Sequence, residues 1–251
     1  MAEIELATLA LLFAAAFAAG FVDAIAGGGG LITVPALLLT GMPPLQAIAT
    51  NKLQGLFGAG TAAWRYAAAG QVDLRSQLPG ALIALVASAV GALAIASVPQ
   101  DFLGSVLPFL LITIAIYFAA QPKLGDTDRR ERLTPRTIMM TFVPLIAFYD
   151  GFFGPGTGSF FMLVFIAFAG FGVLKATAHT KLLNFASNVG GFAVFAFAGA
   201  IVWKIGIVMA VGQVLGATVG SSLAIRKGAR LIKPLLVVTC LALALRLLMS
   251  N

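Results

Sequence analysis

Apolar residues run along this chain in stretches too long and too unbroken for a soluble domain. Leu78 to Val98, Leu103 to Gln121 and Gly206 to Ile225 each approach the roughly 20 residues needed to cross a hydrocarbon core. Short clusters of Gly, Pro and charged residues separate them. The pattern predicts ten helical segments, at about 5–25, 30–41, 45–68, 76–97 and 102–120, then about 137–151, 158–171, 177–199, 203–225 and 231–249. The second and seventh are short and flanked by Gly-rich or Pro-rich turns such as Gly41-Met42-Pro43-Pro44. They are expected as broken or re-entrant half-helices.

The same pattern occurs twice. Phe21-Val22-Asp23-Ala24 falls on Phe148-Tyr149-Asp150-Gly151 at a shift of 127, and Gly27 to Gly30 then fall on Gly154-Pro155-Gly156-Thr157. After a two-residue insertion, Thr50-Asn51-Lys52-Leu53 meets His179-Thr180-Lys181-Leu182, Ala69-Gly70 meets Ala198-Gly199, and Val90-Gly91 meets Val219-Gly220. Ordered matches of this kind indicate a duplication. The first repeat is placed at 1–120, a charged linker at 121–136 and the second repeat at 137–251.

Composition agrees with the spans: 60% of residues are hydrophobic and 10% charged, against about 25% charged in soluble domains. The expected fold class is an all-α membrane protein. The single cysteine, Cys240, excludes an internal disulfide, and the single histidine, His179, removes the usual zinc and Ser-His-Asp constellations. No metal or cofactor is expected. The first twenty residues resemble a signal peptide but carry Glu3 and Glu5 in place of a basic start, so they are read as the first span.

The net charge of +7 would point to nucleic acid in a soluble protein. Here the basic residues lie in short loops, where they set orientation, and no nucleic-acid partner is expected. With Lys123, Arg129, Arg130, Arg132 and Arg136 of the central loop in the cytoplasm, ten crossings also put Arg65, Arg75, Lys175, Arg226, Lys227, Arg230 and Lys233 on that side, whereas second and seventh segments that turned back without crossing would leave Arg226 to Lys233 outside, so ten crossings are preferred. Five segments per half is an odd number, so the two repeats are expected to be inverted relative to each other in the bilayer. In many secondary transporters of that build the substrate sits between the repeats near the midplane.

Ionisable residues inside spans are costly, about 2.5–3.5 kcal/mol on insertion scales, and here they come in repeat-equivalent pairs. Lys52 and Lys181 are candidates for anion capture in a common cavity, helped by Asn51, Thr180 and Asn184. The plainer reading is snorkelling of each ammonium to the interface. Asp23 and Asp150 are candidates for proton coupling, for capping the helix break that follows, or for pairing with the lysines. Gly28, Gly29, Gly30, Gly156, Thr157 and Gly158 break a helix and can aim backbone N–H groups at an anion. The plainer reading for glycines is close helix packing, and it is preferred for Gly190-Gly191 and for Gly212 to Gly220. Neither glycine run fits a nucleotide-binding loop.

The stretch Gly20-Phe21-Val22-Asp23-Ala24-Ile25-Ala26 through Gly30, followed by Ala49 to Leu53, resembles the N-terminal signature of the sulfite exporter TauE/SafE family. Gly151 to Gly158, with His179, Thr180, Lys181 and Asn184, resembles its C-terminal counterpart. The resemblance covers about residues 10 to 249. It implies a multi-pass transporter of small sulfur-containing anions (sulfite, organosulfonates such as sulfoacetate, or thiosulfate) in a bacterial-type cytoplasmic membrane, and members are commonly predicted with about eight spans. No ATP-binding motif is present, so transport would be secondary. The rival readings are an anion channel, a transporter of small carboxylates, a membrane-embedded enzyme and an assembly subunit. No paired-carboxylate, metal or nucleophile–base cluster favours an enzyme. The expected partners are the anion, the lipid bilayer and, in oligomeric form, a homodimer.

Overall fold

A computed structural model describes residues 6–73, 75–99, 101–103, 109, 128 and 130–227. Every long element among them is an α-helix. The first half supplies α1 (Leu6–Ala26), α2 (Gly30–Leu38), α3 (Pro44–Ala68) and α4 (Leu78–Ala96). The second supplies α5 (Pro135–Phe152), α6 (Thr157–Ala167), α7 (Val173–Phe197) and α8 (Trp203–Lys227). These match the first four expected segments of each half. The fifth segments, 102–120 and 231–249, and most of the linker fall outside the described residues.

Local sequence explains the helix ends. Pro44 and Pro135 open α3 and α5, where a missing N–H costs no hydrogen bond. Thr134 caps α5, its Oγ1 accepting from the Thr137 N–H at 3.2 Å. Left-handed glycines follow helix ends at Gly27, Gly41 and Gly70, and again at Gly154, Gly170 and Gly199. Each of the second three aligns with one of the first at the shift of 127 or 129 residues. Midway along the linker, Asp128 accepts from Gly172 N at 2.7 Å and pairs with Lys175 at 2.8 Å beside the start of α7. The Lys175 ammonium first, and then the Gly172 N–H, hold its carboxyl below the usual carboxylate range.

The short helices return the chain to the side it came from. At 9 and 11 residues, α2 and α6 rise about 14 and 16 Å, roughly half of a 30 Å hydrocarbon core. Leu37 and Met42, at the end of α2, pack with Leu12 near the start of α1. Phe168, just past α6, accepts from the Arg132 and Leu133 N–H groups just before α5. The equivalent helices α3 and α7 run in opposite directions. Ile48 and Leu53, early in α3, share a cluster with Phe195 at the end of α7, whereas Tyr66 at the end of α3 clusters with Val173 and Ala176 at the start of α7.

Packing interlocks the halves. α1 lies along α8, α5 along α4, and α3 and α7 cross at the centre. Glycines allow the closest approaches: a β-carbon at Gly91 of α4 would run into Phe148 O of α5, and one at Gly220 of α8 into Phe21 O of α1. Both partners in these contacts are repeat-equivalent. Gly190, Gly212 and Gly216 also lie against backbone carbonyls, of Leu85, Phe13 and Phe17, as close packing requires.

The outside of the bundle is apolar. Leu78, Leu82, Val86 and Val90 on α4, and their equivalents Ile207, Val211, Leu215 and Val219 on α8, form exposed stripes at four-residue spacing. A soluble helix would bury such a stripe; a helix in lipid presents it. Among the described residues, Leu6–Ala26, Leu78–Ile95 and Trp203–Lys227 are long and apolar enough to cross a bilayer. The helices α3 and α7 are as long as α8, 25 residues each, but carry buried polar side chains midway. Those side chains define the site.

Candidate functional site

Two broken helices meet at the centre of the molecule. α1 ends where Gly27 and Gly28 take φ values of +77° and +91°, and α5 ends before Gly154 and Gly156 at +93° and +85°. Only glycine adopts these angles at little cost. The breaks touch: a β-carbon at Gly30 would lie 3.1 Å from Pro155 Cα, and one at Gly158 would lie 3.0 Å from Gly27 Cα.

A broken helix leaves its last carbonyls unsatisfied, which is expensive away from water. Side chains from other elements answer those of α1. Tyr66 Oη donates to Ala24 O at 2.8 Å, Ser159 Oγ donates to Ala26 O at 2.9 Å, and Lys181 Nζ donates to Asp23 O. At the second break Tyr149 Oη donates to Pro155 O at 2.6 Å, and Thr157 Oγ1 to Gly154 O at 2.7 Å.

The paired ionisable residues bond across the halves. Lys52 Nζ stands 2.8 Å from Asp150 Oδ1, and Lys181 Nζ stands 2.9 Å from Asp23 Oδ2. Both lysines are fully buried, so neither snorkels to an interface. The Lys52 contact is an ion pair without an aligned hydrogen bond, and Ser187 Oγ donates to the other Asp150 oxygen at 2.5 Å. Asp23 also caps the start of α2, its Oδ1 accepting from Gly29 N at 3.1 Å. Pairing and capping, both anticipated for the aspartates, therefore occur together at Asp23.

A small cavity lies between the breaks. Most residues singled out in the sequence line it: Asp23, Asp150, Asn51, Asn184, Gly28, Gly29, Gly30, Gly156, Thr157 and Gly158. Lys52, Lys181 and Thr180 do not. The lysines stand behind the carboxylates they neutralise, and Thr180 Oγ1 is buried with no hydrogen-bond partner among the described residues. About 30 Å³ is open to the centre of a water-sized guest. That is room for a water or two.

Gln54, Asn188 and Gln213 also line the cavity and were missed in the sequence. Gln54 Nε2 donates to Asn51 Oδ1 at 2.6 Å, and the Thr33 hydroxyl lies 2.6 Å from the same oxygen. Asn188 Nδ2 reaches Asn184 Oδ1 at 3.2 Å. With their oxygens so engaged, Asn51 and Asn184 turn their NH₂ groups toward the breaks, 3.5 and 3.4 Å from where β-carbons of Gly30 and Gly158 would stand. The overlooked signal was an amide three or four residues beyond each asparagine, on the same helix face. Gln213 pairs with Ala84 in the repeat, so the duplication did not mark it.

A second cavity, of about 240 Å³, is almost entirely apolar and lies among α4, α5, α6 and α7, with Gly80, Met139, Phe165, Phe171, His179 and Leu183 in its wall. His179 Nδ1 is 2.9 Å from Lys175 O, and its ring packs against the stacked pair Phe165 and Phe171.

An apolar exterior, helices long enough to span, and two half-length helices meeting at a buried polar centre define a polytopic membrane protein of the transporter kind. The chain belongs to the sulfite exporter TauE/SafE family, whose model matches residues 12–247, and it is a membrane transporter of that family. It is 60% identical over 248 residues to "Probable membrane transporter protein ORF9" of a Sinorhizobium species, covering 99% of this chain and 95% of that one. It is 46% identical over 236 residues to a "Probable membrane transporter protein" of Haemophilus influenzae, covering 94% and 92%. To "Probable membrane transporter protein YfcA" of Escherichia coli K12 it is 45% identical over 243 residues, covering 97% and 90%. No solved structure matches the chain.

Proposed function

We propose that this protein is a secondary transporter that carries a small sulfur-containing anion, such as sulfite, an organosulfonate or thiosulfate, and binds it between two inverted repeats. The observation that carries the reading is the pair of helix breaks facing one cavity, each with an asparagine NH₂ group turned toward it. Helix starts and amide donors favour an anion, and the family description supplies the sulfur oxoanion. The opposed directions of α3 and α7 and the reciprocal packing of α1 on α8 and α5 on α4 support inversion. The basic central loop supports a bacterial-type cytoplasmic membrane with that loop inside.

Alternating access follows from a difference between the two ends. The apolar cavity beside Gly80 and His179 lies toward the end with the basic loops. Its repeat counterpart is filled: Met209 stands where the other half has Gly80, and Leu12 where it has Met139, both buried with Met42 and Ile205. Rocking of the halves would exchange the packed end for the open one.

The test is uptake of ³⁵S-labelled sulfite, thiosulfate and sulfoacetate by vesicles containing the purified protein. Uptake is expected to saturate and to exchange with unlabelled anion. Asn51→Ala with Asn184→Ala should weaken half-saturation by about tenfold or more, since charge-assisted hydrogen bonds contribute about 1.5–3 kcal/mol each. Unaltered uptake by the double variant would refute the binding site. Non-saturating conductance would identify a channel, and preference for acetate-sized carboxylates would change the substrate class.

A further inference from the structure

The lysines expected to meet the anion do not line the cavity; each is paired with a carboxylate that does. An anion entering the site as it stands would face Asp23 and Asp150, with both ammonium charges already compensated. We propose that the anion enters with a proton, and that the proton is taken by Asp23, which makes Asp23–Lys181 the coupling pair and Asp150–Lys52 a fixed brace. The inference rests on the anion-transport reading above and names its coupling ion.

The proton forms one O–H bond on the Asp23 carboxylate and changes its charge from −1 to 0; no other bond is made or broken covalently. Lys181 keeps its charge. Its Nζ also donates to the backbone oxygen of Asp23, so it stays at the end of α1 when the carboxyl is neutral. One uncompensated positive charge then stands beside the cavity and offsets one negative charge of the entering anion. Protonation also weakens the bond from Gly29 N to Asp23 Oδ1, which releases a backbone donor at the start of α2, where the anion needs it. A single event thus supplies the charge and one of the donors.

The two pairs are not equivalent. The Asp23 side chain is 14% exposed and that of Asp150 is 3% exposed. Asp150 is further held by the Ser187 hydroxyl; Asp23 has in that place only the Gly29 amide. The groups that face Asp23 are Lys181 from α7, the Tyr66 phenol from α3 and Gly29 of α2. Gln213 of α8, Gly158 of α6 and Asp150 of α5 share its cavity. The nearby cation is therefore Lys181, and the carboxylate across the cavity is already paired.

The experiment uses vesicles containing the full chain and an internal pH indicator, with the membrane potential clamped, and adds thiosulfate or sulfoacetate. Both anions stay ionised near neutrality, so a proton that moves with them must ride on the protein. The wild type is expected to acidify the lumen as it takes up the anion, and an inward proton gradient to raise its uptake severalfold. Asp23→Asn should exchange anion for anion without proton movement and without response to that gradient, whereas Asp150→Asn should melt at lower temperature and, at whatever rate it carries the anion, move as many protons per anion as the wild type. If Asp23→Asn does not fold, Asp23→Glu, which keeps the carboxyl, should keep proton movement. Wild-type uptake without proton movement, proton movement in Asp23→Asn, or uptake without it in Asp23→Glu would each overturn the assignment. If wild-type protein takes up neither anion, and neither anion raises its melting temperature, the transport reading itself falls and this one falls with it.

Discussion

Lys52 and Asp150 show how a single buried contact ties the molecule together. Each comes from a different half, and the two groups stand 2.8 Å apart, both buried. Removing one partner leaves an unpaired charge, which costs about 3–5 kcal/mol in a buried pair. Lys52→Met should therefore lower the thermal midpoint sharply, and Lys52→Met with Asp150→Leu should recover much of the loss. Melting of the single and double variants in detergent measures the coupling; additive losses would show that the pair does not act as a unit. Residues of this kind were legible in the sequence because a charge in an apolar run is conspicuous. Gln54 and Asn188 were not, because an amide in a span looks like tolerated polarity until its partner is seen.

Helices α4 and α8 show the same logic one level up. Both turn an apolar stripe outward and a glycine inward, and the glycines at 91 and 220 seat the backbones of α5 and α1. Gly91→Val and Gly220→Val should destabilise to a similar degree, by at least the 1–3 kcal/mol or so of ordinary overpacking, since the obstructing atoms are backbone carbonyls that cannot rotate away. Yield of folded protein and melting temperature check this; a neutral Gly220→Val would mean α1 and α8 can separate freely. The span pattern located all eight described helices, and the Gly- and Pro-rich flanks identified α2 and α6 as short. Which glycines pack and which bend the chain is a matter of partner geometry. Gly27 does both, with a left-handed φ and Ser159 N where its β-carbon would be.

Across the whole molecule, neither half is a finished unit. α1 depends on α8, α5 depends on α4, and each aspartate finds its lysine in the other half. Separated fragments cut within 121–136 should fail to accumulate singly, whereas co-expression should let a tagged first half carry the second through purification in stoichiometric amount. A first half that folds alone would contradict the interlock. The amino-acid order by itself pointed to a bilayer and to a duplication, and it singled out Asp23, Asp150, Lys52 and Lys181. Those properties depend on hydropathy, period and the cost of burying charge, all of which are local. Only the tertiary structure decided that the pairs cross between the halves, with the carboxylates facing the cavity and the lysines behind them. That outcome depends on how two inward-facing breaks stack, and on which side chains reach the carbonyls the breaks leave open.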